Sequence, residues 1–126
     1  MTAARFFRGP LTTARGPDEL VEEVRFPLAR AGERHGFAEV AMRHGDFAIV
    51  SLAAVVTAKE IRLGVGGVAG RPWVQRWPRL AGDELKDALN QLAWDVGARD
   101  DAHASATYRR HLVRTLGSKL IGELLR

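Results

Sequence analysis

The stretch Gly36-Phe37-Ala38-Glu39-Val40-Ala41-Met42-Arg43-His44-Gly45-Asp46-Phe47-Ala48, running on through Ile49-Val50-Ser51-Leu52-Ala53-Ala54-Val55-Val56, decides the fold. Its first part alternates. On a strand, Phe37, Glu39, Ala41 and Arg43 share one face, and Ala38, Val40 and Met42 share the other. His44-Gly45-Asp46 is turn chemistry. Phe47 to Ala58 is then almost continuously apolar, as expected of a central strand buried on both sides. Lys59-Glu60 makes a polar turn, and Ile61-Arg62-Leu63-Gly64-Val65 alternates again, the pattern of a half-buried strand. Consecutive strands joined by such short turns predict an antiparallel meander.

Downstream, Gly66-Gly67-Val68-Ala69-Gly70-Arg71-Pro72 breaks or bends the last of these strands, as if another backbone approaches there. Trp73 and Trp77 follow among prolines and arginines, so residues 71–82 read as an irregular crossing segment. Two helices finish the chain. Leu85, Ala88, Leu89, Leu92 and Val96 form one apolar stripe, with Gly82 or Asp83 as its cap and Gly97 as its stop. Ser105 caps the second helix, whose apolar face is Tyr108, Leu112, Val113, Leu116, Leu120, Ile121 and Leu124. Arg109, Arg110, Arg114 and Lys119 are placed off that face.

Upstream, Asp18 to Pro27 carries Leu20, Val24 and Phe26 on one side and reads as a short strand ended by Pro27, with a helical turn as the competing assignment. Residues 28–35 are a polar loop around Gly32, and residues 1–17 are turn chemistry without a period that nevertheless holds Phe6 and Phe7 side by side. The expected fold class is α+β: an antiparallel three- to four-stranded sheet with two C-terminal helices packed on one face. The apolar central strand then calls for a cover on the other face.

At 126 residues the chain is the size of one domain, and 46% apolar with 27% charged residues marks it as globular. It has no cysteine, which excludes disulfides, thiolate zinc sites and iron–sulfur ligation by this chain. No apolar run reaches the roughly 20 residues that span a bilayer, and the N-terminus has no signal-peptide core, so a cytoplasmic protein without membrane attachment is expected. The net charge of +4 is spread among acidic residues rather than clustered, which argues against a nucleic-acid partner.

Few residues carry recognisable chemistry. The four histidines, at 35, 44, 103 and 111, form no metal-binding pair on a helix, and there is no serine-nucleophile elbow. Gly64-Val65-Gly66-Gly67 lacks the lysine and the following helix of a phosphate loop. Arg43 and Asp46 flank a turn, where a local ion pair or turn bonding is the plain expectation. Trp73 and Trp77 suit either the end of the sheet or an interface with a partner.

Four stretches taken in order carry a resemblance. They are Phe6-Phe7-Arg8-Gly9 with Leu11-Thr12-Thr13 and Asp18-Glu19-Leu20; Gly36 to Ala48; Gly66-Gly67-Val68-Ala69; and Ala104-Ser105-Ala106 with Tyr108-Arg109-Arg110 and Leu112. Together they resemble the C-terminal domain of the flavoprotein (medium) subunit of the xanthine dehydrogenase and carbon monoxide dehydrogenase group, the molybdenum hydroxylases. The resemblance implies a division into a linker remnant over residues 1–17, left from a missing flavin-binding domain, and a C-terminal flavoprotein domain over 18–126. It implies FAD as the cofactor, shared with an upstream flavin-binding half. Its implied partners are that half, an iron–sulfur subunit and a molybdopterin subunit, with electrons passing to the flavin. It also implies that Glu39 and Arg43 lie near the flavin, in or just beyond a segment from Pro27 to Glu39.

The chain departs from the family in two ways. The glycine-rich segments that bind the FAD pyrophosphate lie upstream in the family, and nothing here stands in for them. Some relatives carry lysine where this chain has Glu39, and a carboxylate does not favour a negatively charged reduced flavin as an ammonium does. Three functions therefore stand side by side. The first is a flavoprotein domain that helps shield FAD and contacts partner subunits, inactive alone, with Phe6, Phe7, Trp73 and Trp77 at interfaces. The second is a free-standing, non-enzymatic interaction module that uses the open sheet face and the tryptophans. The third is a small enzyme built on Glu39, His44 or Asp46.

Overall fold

The computed structural model describes residues 1–126. In chain order it contains α1 (Ala3–Phe6), β1 (Phe7–Gly9), β2 (Thr12–Thr13), β3 (Arg34–Ala41), β4 (Ala48–Val56), β5 (Glu60–Gly66), β6 (Trp73–Pro78), α2 (Gly82–Asp95) and α3 (Ala106–Leu125). β1 and β2 form a small two-stranded ribbon, and β3-β4-β5-β6 form one antiparallel meander with the two long helices on one face.

The register explains which side is buried. Ala38, Leu52 and Val65 lie in one row, and Gly36, Ala54 and Leu63 in the next. Val56, Ile61 and Trp77 make a third. These rows face the helices and join Leu85, Leu89, Leu92, Val113 and Ile121 in a single core. At two points the contact is close: a methyl group on Gly36 would lie 2.7 Å from a Leu120 methyl, and one on Gly117 would lie 2.8 Å from a Leu89 methyl. α3 thus settles directly onto β3 and β4, with α2 beside it.

The other sheet face is open along one row, while toward Arg62 it is covered by Glu33. Phe37, Ala53, Gly64 and Val74 line up across all four strands, and Phe37, Ala53 and Val74 are exposed. The central strand β4 is therefore buried on one side only, which corrects the expectation of burial on both. Its apolar run on the open side is made of small or half-covered groups, Ser51, Ala53 and Val55.

Four further assignments change. Residues 73–78 form the edge strand β6, because Trp73 and Trp77 alternate toward the helices and reach Val65 and Ile61 across the ladder. An edge strand tolerates the flanking Pro72 and terminal Pro78, which were read as signs of irregular chain. Asp18 to Pro27 is not a strand here: it has neither helix nor ladder, and its side chains are exposed. Residues 1–17, read as turns alone, form α1 and the small ribbon, closed by Ala14 N donating to Phe6 O. α2 starts without a side-chain cap, its N-cap being Ala81; Asp83 and Glu84 in its first turn complement the helix dipole instead.

Candidate functional site

One end of the sheet gathers the polar residues of interest. The β3–β4 ladder pairs Val40 with Val50 and Ala41 with Ala48, so it skips Ile49. Such a bulge leaves a backbone group outside the ladder. The Ile49 carbonyl accepts a hydrogen bond from Arg109 Nη1 at 2.8 Å. The same nitrogen donates to the Gly67 carbonyl, and Nη2 donates to the Asp101 carboxylate. Arg109 is only 4% exposed, so one guanidinium ties together β4, the glycine bend and the loop before α3. Its Nε is buried without a partner.

Gly67 completes this knot. Its φ is +78°, and a methyl group there would lie 2.6 Å from the Ala48 carbonyl oxygen and 2.7 Å from that of Ile49. Only glycine tolerates both the left-handed backbone and the close approach. The reading of Gly66-Gly67 as a bend where another backbone approaches is the one the structure shows.

Asp101 sits at the rim with its side chain half exposed. Its carboxylate accepts from the His103 and Ala104 backbone N–H groups and pairs with Arg109. Those two backbone bonds chiefly, and Arg109 after them, hold its pKa below the usual aspartate value. Asp100 accepts from Ala106 N, and Ser105 caps α3 by accepting from Tyr108 N, as its sequence position indicated.

Arg109 is the residue that sequence reasoning misplaced. It was set off the apolar face of α3, yet it lies three and four residues before Leu112 and Val113 and continues their stripe inward. Charge outweighed spacing in that reading. Tyr108, assigned to the apolar face, is instead largely exposed.

Glu39 and Arg43 both lie at or near this end of the sheet. Glu39 is on the open face opposite Ser51, exposed and without a hydrogen-bonding partner. Arg43 is in the turn after β3; its carbonyl accepts from Asp46 N, and it makes no ion pair with Asp46. Asp46, Phe47, His103 and Arg109 border an open cleft of about 350 Å³ here.

The four aromatics separate into two groups. Phe6 and Phe7 pack edge to face with ring centres 5.3 Å apart. Phe7 then joins Trp73 and Val74 in an apolar cleft of about 390 Å³ between the N-terminal unit and β6. Trp77 is half-buried against the core, where it covers the end of the sheet. No cluster of three His, Asp or Glu side chains is placed to hold a metal ion, and no helix is long and apolar enough to cross a membrane.

Comparison with known proteins matches residues 35–124 to the model of the CO dehydrogenase flavoprotein C-terminal domain. The chain is 30% identical to the glyceraldehyde dehydrogenase medium chain of Sulfolobus acidocaldarius, over 97% of this chain and 47% of that one. It is 33% identical to the nicotine 6-hydroxylase medium subunit of Paenarthrobacter nicotinovorans, over 93% of this chain and 45% of that one. Among solved structures, its fold is similar to carbon monoxide dehydrogenase from Hydrogenophaga pseudoflava, with a TM-score of 0.83 at 17% identity, covering 97% of this chain and 47% of that one. It is also similar to quinoline 2-oxidoreductase from Pseudomonas putida 86, with a TM-score of 0.78 at 21% identity, covering 95% and 46%. The chain spans about half the length of the curated relatives it matches.

Proposed function

This chain belongs to the CO dehydrogenase flavoprotein C-terminal domain family, within the medium subunits of molybdenum hydroxylases, and from that premise we propose that it completes a flavin site whose larger part lies on an upstream half. FAD would supply the electron-transfer chemistry, and this chain would supply cover and orientation.

The residues present fit one side of a flat ring and not the pyrophosphate. Phosphate binding favours free N–H groups at a helix N-terminus. Here α2 begins with Asp83 and Glu84, and the start of α3 is already bonded by Asp100 and Ser105. The glycine bend at 66–70 leads into a strand rather than a helix. The open sheet face, by contrast, is smooth where Ala53 and Gly64 cross it, and Glu39 and Arg43 stand uncommitted near its end. The single observation that carries the proposal is this bare apolar row, Phe37-Ala53-Gly64-Val74, on a domain of a flavoprotein family.

In this reading residues 1–17 are the joint to the upstream half, with Phe6, Phe7 and Trp73 at the seam, and the iron–sulfur and molybdopterin subunits are the further partners. The test is co-purification of FAD. The chain alone should pass through gel filtration free of flavin, and its assembly with the upstream half should carry flavin. A chain that joins the assembly without changing flavin retention would act as an interaction module instead.

A further inference from the structure

A second cleft, of about 540 Å³, opens between the glycine bend, the tip of the β1–β2 ribbon at Gly9 and Pro10, and the loop before α3. Arg71, Arg99 and Arg109 border it, together with Asp100 and Asp101. Arg71 and Arg99 are exposed, and neither has a hydrogen-bond or ion-pair partner in the chain. The two carboxylates beside them are already spent. Asp101 accepts from two backbone N–H groups and from Arg109, and Asp100 accepts from Ala106 N.

The bend itself adds donors. Val68 to Arg71 belong to no helix or strand, and their N–H groups donate to no acceptor within the chain. Val68 is only 3% exposed, and buried backbone N–H groups are almost always paired. Arg109, deeply buried, also keeps an Nε without a partner. Arg99 sits against the bend: a methyl group on Gly70 would lie 3.0 Å from its Nη2 and 3.7 Å from Pro10. Unspent N–H groups and two free guanidiniums around one concavity select an anion. Three guanidiniums facing two carboxylates leave one net positive charge, which suits a monoanion better than a phosphate dianion. The guanidinium fork matches a carboxylate in particular, through two parallel N–H···O bonds.

We propose that this cleft is a binding site for a small carboxylate, held by the Arg71 and Arg99 side chains beside the N–H groups of the bend. Nothing in the site depends on flavin or on the upstream half. A carboxylate that bridges Arg71 and Arg99 joins the bend to the loop before α3, parallel to the tie that Arg109 makes between Gly67 and Asp101.

The experiment is a titration of the full chain with acetate at neutral pH and fixed ionic strength, acetate replacing chloride, followed by backbone and arginine side-chain NMR signals. The amide signals of Val68 to Arg71 and the Nε signal of Arg99 should shift and saturate. Arg71→Gln combined with Arg99→Gln should weaken acetate by about tenfold or more, the loss of two charge-assisted pairs. Thermal unfolding in chloride should stay unchanged, because neither side chain has a partner in the chain. If the double variant melts lower, Arg71→Gln alone carries the same test from an exposed position. Shifts that never saturate, or an acetate affinity equal in wild type and variant, would overturn the site. Inorganic phosphate binding the wild-type chain more tightly than acetate would overturn the choice of a carboxylate.

Discussion

Arg109 binds three pieces of chain at that end of the sheet: the Ile49 bulge, the Gly67 bend and the Asp101 loop. Truncation to Ala leaves the Ile49 and Gly67 carbonyls without that donor, while the half-exposed Asp101 carboxylate keeps its two backbone bonds. The expected cost is about 1–3 kcal/mol in urea unfolding, the range for leaving buried polar groups without their donor, and Arg109→Lys should recover only part of it because a single ammonium cannot span the fork. Asp101 sets a pH dependence. Its pKa is lowered in the fold by the His103 and Ala104 N–H groups and by Arg109, so its contribution is present above the ordinary aspartate value of about 3.9 and is lost as pH falls through the lowered one. Wild type should therefore lose stability on acidification more steeply than Asp101→Asn, and the two unfolding curves should converge in acid; parallel curves would remove Asp101 from the balance. The sequence hid this knot for a physical reason. A buried arginine looks like a surface arginine until the helical spacing to Leu112 and Val113 is weighed above its charge, and no local pattern foretells a bulge at Ile49.

The meander of β3 to β5 and both long helices were readable from periodicity, since alternation and the i, i+4 stripe report burial directly. β6 was not readable, because its prolines and arginines mask an alternation that only the ladder with Ile61 and Val65 makes plain. The expected burial of β4 on both faces failed because apolar composition does not say whether a second layer is present in the same chain. The glycine bend is the most constrained connection. Gly67→Ala should destabilise the chain by roughly 3 kcal/mol or more, through its left-handed backbone and the contact with two carbonyl oxygens. Gly45→Ala, with φ of +89° but open space around it, should cost less in the same thermal melts. Equal losses at the two sites would mean that backbone strain alone decides, without the contact to β4.

At the scale of the molecule, two surfaces are left without company: the sheet face of Phe37, Ala53, Gly64 and Val74, and the segment from Leu20 to Leu28. Neither is explained by anything else in the chain, and both suit a domain that is one part of a flavoprotein subunit. The candidate flavin-side residues Glu39 and Arg43 were legible only by resemblance; their chemistry is not marked by periodicity, burial or a perturbed ionisation. The most direct test of the account is the amount of FAD retained after gel filtration when the upstream half is titrated with this chain. The account predicts that retained flavin rises and saturates at one flavin per pair of halves, with none held by this chain alone. Flavin bound to the upstream half in the same amount at every concentration of this chain, despite stable association, would contradict it.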